Sequence, residues 1–296
     1  MAKAKRRSTS RRELAQHPTF EQISPEVGEL DEDELSGAMA TDPDGTLALL
    51  ADLVGATDER LRALARQLAG RLFFDIAQRG PTRSRGIGRL QGMPYRPDGG
   101  DLDIDASIDA IAEGRAGVID AERLRVRGWV RPSTAMCLMV DRSGSMGGRP
   151  LATAALAAAA VATRSPADYS VLAFGKDVVV AKSQLTPKPG DAVVTDILSL
   201  RGFGTTDLAS ALRAAGEQLS RSHAGRKVAV LLSDCRSTVD GDPLAAAQTL
   251  AELVIIAPEE DSDEASAFAA RCGARCLTVS GPSAVAEVVS RALERA

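Results

Sequence analysis

Aromatic side chains make up only 3% of the 296 residues (six Phe, two Tyr, one Trp), so a core of stacked rings is excluded. The interior must be built from Ala, Val and Leu, drawn from a hydrophobic fraction of 44%. Cysteine is scarce too. Cys137, Cys235, Cys272 and Cys276 are too few for a disulfide framework in a chain of this length. Cys272 and Cys276 form one C-x-x-x-C pair with no second pair and no His nearby, so zinc is not expected. Both are placed as small buried residues, at a helix end and a strand start, and Cys137 as strand core. No apolar run approaches the ~18 residues of a membrane span, and no hydrophobic segment follows the basic start MAKAKRRSTSRR as it would in a secretory signal. A formal charge of −4 does not fit a broad nucleic-acid surface. These absences predict a soluble, reduced, cytoplasmic protein with neither nucleic acid nor membrane as partner. A G-x-x-x-x-G-K-[ST] phosphate loop is also missing, so the chain is not its own nucleotide-driven motor.

What is present falls into four stretches. Residues 1–12 are a basic tail without apolar periodicity. Residues 13–100 are a helical N-terminal region. ELDEDELSGAMA places acids in a first turn, where the helix dipole favours them. TLALLADLVGA offers Leu47, Leu49, Leu50 and Leu53 to one packed face. ATDERLRALARQLAGRLFFDIAQRG is one long amphipathic helix, capped by Thr57 or Asp58, with Leu61, Leu64, Leu68, Leu72 and Ile76 at helical spacing. This region holds no His, Cys or carboxylate cluster that suggests catalysis, so its work is docking or bracing. Within that stretch, 79–100 (RGPTRSRGIGRLQGMPYRPDGG) is a Gly/Pro/Arg-rich linker. A connecting segment follows over 101–132. Its alternating Asp101, Asp103, Asp105 and Asp109 do not make an EF-hand, because Ala106 stands where the turn needs Gly and Ala112 where the bidentate Glu belongs. A short strand or helix start is expected instead.

From 133 to 296 strands and helices alternate. TAMCLMVD and KVAVLLSD are apolar runs of strands buried on both faces. YSVLAFG and DVVVAKS are separated by a short step and predict an antiparallel hairpin at the sheet edge. PLATAALAAAAVATRS, DAVVTDILSL, DLASALRAAGEQLSRS, AAAQTLAE, SDEASAFAARCG and SAVAEVVSRALERA are helical, and LVIIAP and RCLTVS are strands. Such alternation makes an α/β, Rossmann-like, mostly parallel sheet with helices on both faces, whose sites lie at the carboxyl ends of the strands.

The first buried strand runs into Asp141-Arg142-Ser143-Gly144-Ser145. Oxygen side chains at alternate positions of a tight turn can converge, and a carboxylate with two hydroxyls is a hard donor set suited to Mg²⁺. In this the sequence resembles the von Willebrand factor A (vWA) family. The metal-ion-dependent adhesion site of that family is D-x-S-x-S, then a Thr before a helix, then an Asp ending a later strand. DRSGS supplies Asp141, Ser143 and Ser145, GFGTTDLASAL supplies Thr206, and VAVLLSD supplies Asp234. The resemblance implies that Ser143, Ser145 and Thr206 touch one Mg²⁺, or Mn²⁺ in its place, and that Asp141 and Asp234 hold its waters or approach it closely. The family usually has Gly after the last Asp; here Cys235 stands there, a side chain expected to narrow the loop.

Residues IDASIDAIAEGRAGVIDAERLRVRGWVRPSTAMCLMVDRSGSM resemble the approach to this domain in magnesium-chelatase D-type subunits and in bacterial vWA proteins that work beside MoxR-type AAA+ ATPases. This implies a non-catalytic adaptor that docks an acidic residue of a partner, with an AAA+ ATPase of MoxR or chelatase I-subunit type beside it. A chelatase D-type subunit is the alternative. A serine hydrolase is remote: G-x-S-x-G is absent, and His223 falls before a strand, on the wrong side of the sheet from Ser145 and Asp234. Trp129 and Tyr95 are assigned to packing.

Overall fold

The computed structural model describes residues 9–79, 89–95, 101–113, 120–130, 133–142, 147–200, 202 and 204–294. The chain divides into two compact units, one of Met1–Thr82 with Thr134–Ala296, the other of Arg83–Ser133.

The larger unit is built on a six-stranded sheet of order β6-β5-β4-β7-β8-β9. Its strands are β4 (Thr134–Asp141), β5 (Tyr169–Phe174), β6 (Val178–Lys182), β7 (Arg226–Leu232), β8 (Leu253–Pro258) and β9 (Arg275–Val279). All neighbours are parallel except β5 and β6, the antiparallel hairpin expected at the edge. Successive side chains point to opposite faces. Thus Met136, Leu138, Val140, Val228, Val230, Val254 and Ile256 enter one core, and Cys137, Met139, Leu172, Phe174, Ala229, Leu231 and Ile255 the other. Such two-sided burial is why these strands are apolar without alternation.

Helices α9 (Leu208–Ser220), α10 (Pro243–Gln248) and α11 (Asp263–Cys272) cover the second face. The first is covered by α7 (Gly148–Arg164), α8 (Gly190–Leu198) and α12 (Val285–Leu293). Outside these lies the N-terminal region: α1 (Arg11–Leu14), α2 (Phe20–Ile23), α3 (Glu32–Thr41), α4 (Pro43–Leu53) and α5 (Glu59–Arg79). Of the basic tail, residues 1–8 lie outside the described residues. Ser10 caps α1 in a reciprocal box with Glu13, and Thr9 bridges to Ala56.

The N-terminal helices share the core of the α/β layer, and their buried faces differ from those the Leu spacing predicts. α4 buries Leu47, Ala48, Leu49, Leu50, Ala51 and Leu53, more than a single face, because it is packed between α7 and its own neighbours. On α5 the buried stripe begins at Leu61, as the spacing predicts, but continues through Ala65, Ala69, Phe73 and Ala77 rather than the later leucines. Leu68, Leu72 and Ile76 flank it half-buried, and Leu64 is exposed. Small residues win the contact because α7 opposite is rich in alanine, so the two helices approach closely and gain dispersion contacts along their length. Asp58, not Thr57, caps α5 by accepting the Leu61 N–H at 2.7 Å.

The smaller unit holds what the sequence assigns to linker and connecting segment. β1 (Arg89–Pro94) and β2 (Asp101–Leu102) flank β3 (Arg125–Val130) in an antiparallel sheet. The Asp-rich stretch becomes β2 and the start of α6 (Ile104–Ala112), with Asp103 as N-cap, accepting the Ala106 N–H. Asp103 also accepts from Arg127 Nε at 2.8 Å; this bond, then the Ala106 N–H, holds its carboxyl below the usual carboxylate range. Tyr95 is exposed rather than packed, and the Trp129 side chain lies outside the described residues.

Candidate functional site

Asp141 ends β4 and Asp234 follows β7, and these two strands are parallel neighbours with Val140 opposite Leu232. The two carboxylates therefore leave the sheet side by side at its carboxyl end, where right-handed crossovers leave a crevice. Thr206 is brought to the same place by the approach to α9. Its N–H donates to Thr238 Oγ1 at 2.8 Å, and its carbonyl accepts the Thr238 N–H at 3.0 Å and the Ser237 hydroxyl at 3.2 Å. The next residue, Asp207, caps α9 through the Ser210 N–H and donates its own N–H to the Gly175 carbonyl beyond β5. Thr206 is 1% exposed, and these bonds join it to the loop that follows Asp234. Ser143 and Ser145 lie outside the described residues.

One residue that sequence reasoning passes over joins these parts. The Ser233 hydroxyl donates to Asp141 Oδ2 at 2.6 Å and accepts the Cys235 N–H at 2.9 Å. It fastens the loop after β7 to the end of β4. Its only signal in the sequence is a Ser directly before the Asp that ends a strand. Asp234 Oδ1 accepts the Arg236 N–H at 3.0 Å, and Arg236 reaches Asp261 at 2.5 Å, so the loop is tethered at both ends.

Cys235 has φ of 64°, the left-handed region, and is 8% exposed. The turn out of β7 thus demands the conformation that glycine adopts without cost, which accounts for Gly as the family's usual choice there. Burial pushes its thiol pKa up, and the charges of Asp234, Cys276 and Asp141, in that order, push it further. The side chain is buried with the hydrophobic cluster of the second face. Cys235→Gly is expected to leave stability within about 1 kcal/mol of wild type, since relief of the left-handed conformation offsets the lost packing. Cys235→Val is expected to cost about 1–3 kcal/mol, because a β-branched residue is strained there. Urea unfolding midpoints compare them, and equal midpoints would contradict this account.

The other sequence expectations are placed as follows. Cys137 is fully buried in β4; Cys272 and Cys276 sit at a helix end and in a strand but are only half-buried, because α11 and β9 lie at the rim of the sheet. His223 precedes β7 and so sits at the amino end of the sheet, away from Asp141 and Asp234, which leaves the hydrolase arrangement without a base. Among the described residues no three His, Cys, Asp or Glu side chains cluster as a metal site. Asp141, Asp234 and the buried Thr206 offer hard oxygens, a donor chemistry that fits a divalent cation. No described helix is long and apolar enough to cross a membrane.

No curated protein matches the chain. Solved structures that share the fold include proximal thread matrix protein 1 of the mussel byssus, with 13% identity over 54% of this chain and 47% of that one and a TM-score of 0.42. A von Willebrand factor type A protein from Catenulispora acidiphila has 17% identity over 56% and 43%, with a TM-score of 0.42. Manganese-loaded TRAP protein of Plasmodium vivax has 18% identity over 53% and 72%, with a TM-score of 0.41. The chain spans less than half the length of the first two. A family profile described as "VWA domain containing CoxE-like protein" matches residues 78–291, which takes in all of the sheet and the site at its carboxyl end. The chain belongs to this family of vWA domain, CoxE-like proteins.

Proposed function

We propose that this chain is a non-catalytic docking subunit in which Asp141, Ser143, Ser145, Thr206 and Asp234 hold one Mg²⁺, and that it works with a MoxR-type AAA+ ATPase in assembly of, or metal insertion into, a client protein. The observation that carries this reading is the convergence of Asp141, Thr206 and Asp234 at the carboxyl ends of β4 and β7, tied together through Ser233, Ser237 and Thr238. When bound, Mg²⁺ supplies a hard, positively charged attachment point for one carboxylate of a partner. Asp141 and Asp234 contribute the negative charge that attracts the ion, and Thr206 contributes a neutral oxygen that does not cancel the ion's pull on a further anion. Because the main chain of Thr206 is bonded to the loop after Asp234, its position and that of Asp234 change together. Partner binding and loop position then favour each other by the same free energy.

The test is co-purification of the full chain with a MoxR-type ATPase encoded beside it, in Mg²⁺, Mn²⁺ and EDTA. Complex is expected in both metals and not in EDTA, and Thr206→Ala is expected to weaken it at least as much as a coupling of about 1–3 kcal/mol, 5- to 150-fold. One acidic residue of the partner should be indispensable, its amide replacement matching EDTA. A complex that survives EDTA would sink the metal-bridged reading. Co-purification with a porphyrin-binding large subunit instead would favour the chelatase D-type alternative.

A further inference from the structure

Helix α7 begins directly after the Ser143–Ser145 segment, and its N-cap is Gly147, which has no side chain with which to satisfy the free amides of the first turn. The missing cap comes from 96 residues away. Asp52, near the end of α4, accepts the Gly148 N–H on Oδ1 at 2.7 Å, and its Oδ2 pairs with His17 Nε2 at 3.1 Å. Glycine at 147 leaves the carboxylate room, and glycine at 148 suits the left-handed backbone there. A Cβ at Gly147 would stand 3.2 Å from Asp52 Oδ1, and one at Gly148 3.6 Å from Oδ2, with Gly148 at φ +53° besides. α4 itself is anchored at its other end, where Asp44 accepts the Ser283 N–H at 2.8 Å, and its leucines are fully buried between. Asp52 is therefore held in place independently of the bond it makes to α7.

We infer that Asp52 is a positioning residue for the metal-binding segment. The start of that segment is fixed by Asp141 on Ser233 and by the Arg142 N–H on the Phe174 carbonyl. Its far end is fixed by the N-terminal helical region, through Asp52 on Gly148. Ser143 and Ser145 lie between these two anchors in the sequence, so a shift of α4 shifts the point at which their segment rejoins the fold. The N-terminal region thereby sets the affinity of the site without touching the ion. This rests on the metal reading above.

The test uses the full-length chain. In EDTA, hydrogen exchange at Gly148 is expected to be faster in Asp52→Ala than in wild type, a readout independent of any metal. In titration calorimetry, Mg²⁺ should bind Asp52→Ala roughly 10- to 100-fold more weakly, the usual effect of removing a group that orients ligands. Asp52→Asn keeps the acceptor oxygen and is expected to restore protection and bring affinity back to within roughly fivefold, the worth of one charge at a helix N-terminus. As a control, Asp242→Ala removes the ordinary cap of α10, where Asp242 accepts the Ala245 N–H at 2.9 Å, and should leave Mg²⁺ affinity unchanged. If Asp52→Ala does not fold, Asp52→Ser, too short to reach Gly148, carries the same expectation. Wild-type Mg²⁺ affinity in the Ala or Ser variant overturns this inference alone, making Asp52 a structural cap only. Absence of Mg²⁺ binding by the wild-type chain overturns the metal reading and this inference with it.

Discussion

Removing residues 1–82 is expected to abolish a monomeric, cooperatively unfolding product, even though the whole sheet and every proposed metal ligand remain. The sequence presents the N-terminal helices as an accessory, but their core is the domain's core. Leu47, Leu49, Leu50, Leu53 and Phe73 are fully buried in the same cluster as the alanines of α7 and Val193, Val194 and Ile197 of α8. At about 1.5–3 kcal/mol for each large apolar side chain, these five account for roughly 7–15 kcal/mol of burial, an upper estimate because unfolded chains are already partly collapsed. That is comparable with the entire stability of a typical domain, about 5–15 kcal/mol. The truncated chain also spares the entropy of ordering the lost residues, but it leaves the outer faces of α7 and α8 bare. An apolar surface of that kind promotes association. Size-exclusion chromatography with light scattering and urea unfolding would measure the outcome. A monomer that unfolds at the wild-type midpoint would show that the helices are dispensable after all. A gentler version is Phe73→Ala in the full chain, for which about 3–5 kcal/mol of destabilisation is expected.

How far the sequence reveals this depends on the range over which each interaction acts. β4, β7 and β8 are legible because burial on both faces forces a continuous apolar run, which local composition displays. The β5–β6 hairpin is legible because its turn is short. α5 is legible as a helix but not in its orientation. Leucine spacing points to one stripe, whereas the contact with α7 rewards the small residues one position away, and nothing within α5 reports that its neighbour is alanine-rich. β1 and β3 are illegible, since β1 carries Gly92 and Pro94 and its partner lies far along the chain. The places of Asp141 and Asp234 at strand ends and of Thr206 before α9 are legible because the strands and the helix show in local composition. Ser233 and Asp52 are not. Ser233 acts on Asp141 across 92 residues and Asp52 on Gly148 across 96, so only the folded chain shows these bonds.

The second large effect separates the charge of Asp141 from its hydrogen bond. Asp141→Ala and Asp141→Asn are both expected to lose Mg²⁺ binding, but to differ in stability without metal. In the Ala variant the Ser233 hydroxyl loses its acceptor in a partly buried place, which costs about 1–3 kcal/mol, and the Cys235 turn loses a brace. The fold should persist, because Asp141 sits at the last position of β4 while Ala135–Val140 make the core contacts. In the Asn variant the amide oxygen still accepts from Ser233, and removal of one of two neighbouring carboxylate charges relieves the repulsion between them. Asn is therefore expected to be at least as stable as wild type in EDTA, with Ala the least stable of the three. Addition of Mg²⁺ should reverse the order at the top. A ligand that binds only the folded state stabilises it by about 2.7 kcal/mol at a hundred times its Kd, and only wild type can gain this. Urea unfolding of all three proteins in EDTA and in excess Mg²⁺ gives six midpoints that fix both comparisons. If Asp141→Asn gained as much from Mg²⁺ as wild type, the carboxylate would not be part of the metal site. Asp141 would then serve only to fasten β4 to the loop that begins at Ser233.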